Sequence, residues 1–163
     1  MISRTACKYP SNGLQMPMFC ITGSTMKQAT SPARKISSSA SGSLYGTTSV
    51  VLTVSAVIPA LDGMKEKLSS GVRVADIGCG SGGAALLMGS TFPNSIIDGF
   101  DISRFALERA EERKSESGAH NVSFFDPREH PIADDHSYDL ICTFDCIHDM
   151  TQPTEMMKTI RKA

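Results

Sequence analysis

Beyond residue 70 the apolar positions fall into four short runs, separated by polar or amphipathic segments. Val72, Val74 and Ile77 are β-branched and open the first run, which reads as a buried strand. A glycine cluster follows, then the helix formers from Ala84 to Met88. The turn Phe92-Pro93-Asn94-Ser95 leads into a second strand, Ile96 to Asp101. Ser103 is placed to cap a helix with Phe105, Ala106, Leu107 and Ala110 on one side, and Gly118 is its stop. The charged series from Glu108 to Glu116, including Arg109, Arg113 and Lys114, reads as that helix's solvated face. Asn121 to Asp126 makes a third strand, and residues 127–137 form a polar loop. Tyr138 to Phe144 makes a fourth strand, apolar enough for burial on both faces of a parallel sheet. Thr154 is a candidate N-cap for a last helix toward Ala163. Upstream, Val51, Val54 and Ile58 recur at helical spacing until Pro59, and Met64 to Leu68 suggests a short helix closed by Ser70-Gly71.

Composition narrows the class. A chain of 163 residues suits one domain, and a net charge of −1 gives no sign of a nucleic-acid-coating surface. The charge is uneven. Residues 1–61 hold five basic groups and no acid, whereas residues 62–163 hold eleven basic and seventeen acidic groups, a net of −6. Residues 1–43 read as a disordered, basic leader with a Ser-rich linker at 37–43. Organelle transit peptide, plain extension and mis-assigned start all remain open for it. The apolar run from Val50 to Leu61 is too short and too interrupted to span a bilayer. The five cysteines, Cys7, Cys20, Cys79, Cys142 and Cys146, match no zinc spacing and suit a reducing compartment, hence a cytoplasmic protein, with a mitochondrial address as the alternative.

The chemistry concentrates where the first strand meets its helix. Strand, glycine turn and helix form a cradle that lets a ligand approach the backbone and the helix N-terminus. Gly78, Gly80 and Gly83 fit the dinucleotide spacing; Gly78, Gly80 and Gly82 fit a tighter one. Asp76 separates the two readings. A carboxylate there would repel a pyrophosphate but would suit an ammonium group. Asp101 lies 23 residues beyond Gly78, at the end of the second strand, where an acid can accept from ribose hydroxyls. Either cofactor class uses such an acid. Asp134, Asp135 and His136 read as a solvated turn.

Asp76-Ile77-Gly78-Cys79-Gly80-Ser81-Gly82 resembles motif I of the class I S-adenosylmethionine (SAM)-dependent methyltransferases. Tyr138-Asp139-Leu140-Ile141, leading into Phe144-Asp145-Cys146-Ile147-His148-Asp149, resembles motif IV. The latter string is similar to a small-molecule subgroup whose full-length members often carry an N-terminal winged-helix domain. The resemblance covers about residues 48–163. It implies a Rossmann-like α/β fold cut to about four parallel strands in the order 3-2-1-4, with residues 44–163 as an incomplete SAM-binding domain. It further implies cofactor contacts from Asp76, Gly78, Cys79, Gly80, Gly82, Asp101, Ile102, Asp126, Phe144 and Asp145. His148 and Asp149 would border the mouth for an unidentified small acceptor, with His148 as a candidate base. Asp126 departs from the usual placing of the adenine-binding acid, because Pro127-Arg128-Glu129-His130 follows it. Absence of the family's later strands would leave the fourth strand as an exposed edge, inviting self-association and weakening SAM binding and turnover. An NAD-dependent oxidoreductase and a non-catalytic interaction subunit are the alternatives.

Overall fold

The computed structural model describes the backbone of Met18–Ile21, then residues 56–144 and 146–163. Five parallel strands form one sheet: β1 (Met18–Ile21), β2 (Arg73–Ile77), β3 (Ile96–Phe100), β4 (Val122–Phe125) and β5 (Leu140–Phe144), in the order β1-β5-β2-β3-β4. The four strands β2 to β5 reproduce the expected 3-2-1-4 arrangement. The edge of β5 is not open, however. β1 pairs with it in parallel, Met18 opposite Ile141 through Ile21 opposite Phe144. The expectation of an exposed fourth-strand edge is therefore corrected: a strand from the leader satisfies those backbone groups, as an edge in water favours.

Side chains alternate between two cores, as the two-residue period of a strand requires. Val74 of β2, Ile97 of β3 and Leu140 of β5 face one core; Ala75, Phe100 and Ile141 face the other. The first core is covered by α1 (Met64–Ser70) and α2 (Gly83–Thr91), through Met64, Leu68, Leu86 and Met88. Burying each such side chain contributes about 2 kcal/mol. Gly89 lets α2 approach β4: a Cβ there would stand 2.3 Å from Val122 Cγ2. The second core is covered by α4 (Pro153–Lys162), whose Ile160 and the terminal Ala163 are buried beside Tyr138 and Ile132.

α3 (Arg104–Ser117) runs mostly in solvent and fully buries only Ala110. Ser103 caps it, accepting from the Ala106 N–H at 3.4 Å, and Gly118 ends it at φ 67°. Ion pairs Arg104–Glu108 and Arg109–Glu112 line its outer face, where solvent screening leaves them little weight. Three boundaries differ from expectation. α4 starts at Pro153, whose fixed φ suits a first helical position, so Thr154 is not its cap. β5 starts at Leu140, because the Tyr138 N–H donates to the Ala163 carbonyl at 3.1 Å and not to a neighbouring strand. Ile58–Ala60 is a single 3-10 turn, and Val51 and Val54 lie outside the described residues.

Candidate functional site

The carboxyl ends of β2, β3, β4 and β5 share one edge of the sheet. Strand order reverses there between β3 and β5 around β2, the place where open α/β sheets form a ligand crevice. The glycine corner sits at that point. Gly78 and Cys79 both donate their N–H to the Phe100 carbonyl, at 2.8 and 3.1 Å, which ties the start of the turn to β3. Gly80, at φ 53°, donates to Asp101 Oδ2 at 2.8 Å. A Cβ at Gly80 would meet nothing within 4 Å, so the backbone faces open space. Gly82 is different: at φ 75°, its Cβ would lie 2.4 Å from the Phe124 ring. Gly80 thus leaves room for a ligand, and Gly82 leaves room for the core.

Asp76 lies beneath this corner, 1% exposed, and neither carboxylate oxygen has a hydrogen-bond partner among the described residues. Burial pushes its pKa up to about 7; the nearby Ala85 amide opposes the shift, and Asp101 adds to it. One strand away, buried Asp98 has the opposite surroundings. It accepts from Arg73 Nε at 2.9 Å and Tyr138 Oη at 2.9 Å, and the Arg73 guanidinium lies 4.7 Å above the Tyr138 ring. A buried carboxylate ordinarily needs such partners. Asp98 has them from the protein, so it is structural. Asp76 has only the nearby Ala85 amide, outside hydrogen-bond geometry, so most of its demand for a donor is left for a ligand.

Asp101 is half-buried at the end of β3. Besides Gly80, it accepts from the Ser103 N–H at 2.8 Å, so it both braces the glycine turn and leads into α3. Ile102 follows it, 65% exposed beside the crevice. Asp126 ends β4 next to Asp101, whose N–H donates to the Phe125 carbonyl at 3.1 Å. The Arg128 guanidinium holds the Asp126 carboxyl down at about 2. Phe144 ends β5 half-buried against the first core, and Asp145 lies outside the described residues. Cys79 is buried against Gly99, and burial raises its thiol pKa. His148 and Asp149 share an exposed 3-10 turn, with Nε2 and Oδ1 3.3 Å apart. The fold thus brings Asp76, Gly78, Cys79, Gly80, Gly82, Asp101 and Asp126 to one edge.

The sequence reading names two further residues of this corner without giving them a part in the site. Arg113 of α3 is not solvated: its guanidinium donates to the Ser81 carbonyl at 2.9 Å and to Ser81 Oγ at 3.2 Å, fastening the tip of the glycine turn. The clue is helical spacing, since Arg113 stands three residues beyond buried Ala110. Cys146 is the other. Its thiol lies 3.1 Å from the Ile77 carbonyl, against Gly78, where a Cβ would come within 2.6 Å of Sγ. That contact brings the segment after β5 onto the glycine corner.

The methyltransferase domain family matches residues 75–163, more than half of the chain. The chain belongs to the class I SAM-dependent methyltransferase family. Among solved structures, it is similar to YcgJ from Bacillus subtilis, with 24% identity and a TM-score of 0.56, over 71% of this chain and 45% of that one. It is also similar to a provisionally assigned sarcosine dimethylglycine methyltransferase from Galdieria sulphuraria, with 25% identity and a TM-score of 0.56, over 69% and 42%. A SAM-dependent methyltransferase from Aquifex aeolicus shares 18% identity at a TM-score of 0.53, over 72% and 65%. The chain therefore spans less than half the length of the first two. No curated protein matches it. Among the described residues, no group of His, Cys, Asp and Glu could hold a metal ion, and no helix is long and apolar enough to cross a membrane. An open groove between residues 127–134 and α4 shares no residue with the glycine corner.

Proposed function

We propose that this methyltransferase-family chain binds SAM in the crevice beside the glycine corner and serves methyl transfer to a small acceptor. The observation that carries the reading is the pairing of an orphaned buried carboxylate, Asp76, with an adjoining backbone position, Gly80, that opens on empty space. Asp76 would answer the cofactor's ammonium group, Asp101 the ribose, and Ile102 and Asp126 the base. Phe144 and Asp145 would border the methionine end. When bound, SAM supplies an electrophilic methyl group on a sulfonium.

The protein's own contribution is alignment, since in-line substitution depends on it above all. Gly78 and Cys79, bonded to β3, and Arg113, bonded to Ser81, hold the turn rigid. His148, with Asp149 beside it, is the candidate to take a proton from the acceptor. Binding is weak at neutral pH, because Asp76 is only partly ionised there and Asp126 is engaged by Arg128. The thiols Cys79 and Cys142 suit a reducing, cytoplasmic setting. Calorimetry with S-adenosylhomocysteine tests the reading. Saturable heat that disappears in Asp101→Ala supports it. No heat at saturating ligand, with the protein folded by circular dichroism, overturns it.

A further inference from the structure

Arg128 closes the rim of the crevice where two acceptors would otherwise face a ligand. Its own N–H donates to Asp126 Oδ1 at 2.9 Å, which turns the chain back and lays the guanidinium along the carboxylate. Nε donates to both Asp126 oxygens, at 2.9 and 3.1 Å, and a terminal nitrogen donates to Oδ2. The same nitrogen donates to the Ile102 carbonyl at 2.8 Å. One cation thereby stitches the segment after β3 to the end of β4. It also engages the two acceptors that this part of the rim would offer. The two halves of the contact are unequally exposed, 64% for the Arg128 side chain and 16% for Asp126. The arginine is therefore the partner with room to leave.

We propose that Arg128 is a latch that sets which purine edge the crevice accepts, a reading that rests on SAM binding at this site. Docked, it makes the rim a donor surface. Swung out, it bares Asp126 as an acceptor. A 6-amino purine needs that acceptor, so an adenosyl ligand must displace the latch. A 6-oxo purine presents an acceptor itself, which the docked guanidinium can serve. Because the pair is partly exposed, displacement costs no more than about five-fold in affinity. Arg128 is a specificity residue here, and it takes no part in bond making.

The test compares S-adenosylhomocysteine with S-inosylhomocysteine by calorimetry on the full chain and its variants. Arg128→Ala should bind the adenosyl ligand about five-fold tighter. It should bind the inosyl ligand no tighter, so the ratio of the two affinities widens. Arg128→Lys, which keeps the charge and loses the fork, should fall between. A purely structural role would move both ligands together. An unchanged ratio, with the wild type binding the adenosyl ligand, overturns the latch and leaves SAM binding standing. If neither wild type nor Arg128→Ala binds either ligand, the SAM reading falls, and the latch with it.

Discussion

Replacing Asp76 with Asn should stabilise the protein above neutral pH while weakening its cofactor affinity. The folded carboxyl has a pKa of about 7, against 3.8 for an ordinary aspartate. Between those values the unfolded chain releases a proton that the folded chain keeps, so rising pH favours unfolding across that window. Above about pH 7 both states are ionised and the cost is constant. A displacement from 3.8 to about 7, at 1.36 kcal/mol per unit, sets a ceiling of about 4 kcal/mol. The amide brings its own buried donors, which return about 1–3 kcal/mol of that. The expected net gain is therefore about 1–3 kcal/mol at about pH 8, and it becomes a loss of about 1–3 kcal/mol below about pH 3, where Asp76 is neutral in both states. Urea unfolding followed by circular dichroism at intervals across that range measures it. A gain that is flat with pH, or a loss that grows with it, would refute the reasoning, because either result means that Asp76 has a favourable partner inside the protein.

Affinity for S-adenosylhomocysteine should rise about ten-fold from about pH 6 to about pH 8, as Asp76 ionises, and should be flat in Asp76→Asn. A wild-type profile as flat as the variant's counts against the ammonium role. Arg113→Met should weaken S-adenosylhomocysteine binding about five-fold by freeing Ser81, with faster amide exchange at residues 79–82; protection that is unchanged there removes the arginine from the site. Gly82→Ala should cost at least about 2–3 kcal/mol of stability through the Phe124 ring, whereas Gly80→Ala should cost about 1 kcal/mol and chiefly reduce binding. Equal unfolding midpoints for the two variants would contradict this division. Deleting residues 1–21 should uncover the edge of β5 and promote self-association, visible by sedimentation velocity. A deletion variant that stays monomeric at high concentration would show that β1 does not guard that edge.

Much of this site was legible because its demands are local. A turn at positive φ beside an open crevice needs glycine, and Gly80 and Gly82 announce it without any knowledge of what packs nearby. Asp101 was legible for the same reason: the length of one βα unit places it. Burial on both faces of the sheet followed from the continuous apolar run of β5. What stayed hidden depends on contacts between distant segments. Asp76 and Asp98 are both acids within strands, and nothing local distinguishes the orphan from the one held by Arg73 and Tyr138. β1 joins β5 across more than a hundred residues, and its four residues carry no period long enough to read.

Arg113 and Arg128 make the same point from the charged side. Both belong to polar stretches whose default reading is solvation, and both bind the chain at the rim of the crevice. Arg113 fixes a backbone turn, so its loss should loosen the site. Arg128 holds two acceptors that the proposed base would use, so its loss should open the site. Two arginines on one rim, acting with opposite sign on one ligand, cannot both be explained by net charge, since removing either changes the charge by the same amount. Contact geometry has to decide between them: a carbonyl and a hydroxyl of the turn for Arg113, a carboxylate of the crevice for Arg128. If both variants moved affinity in the same direction by the same factor, long-range electrostatics would be the better account, and the two contacts would be incidental to binding.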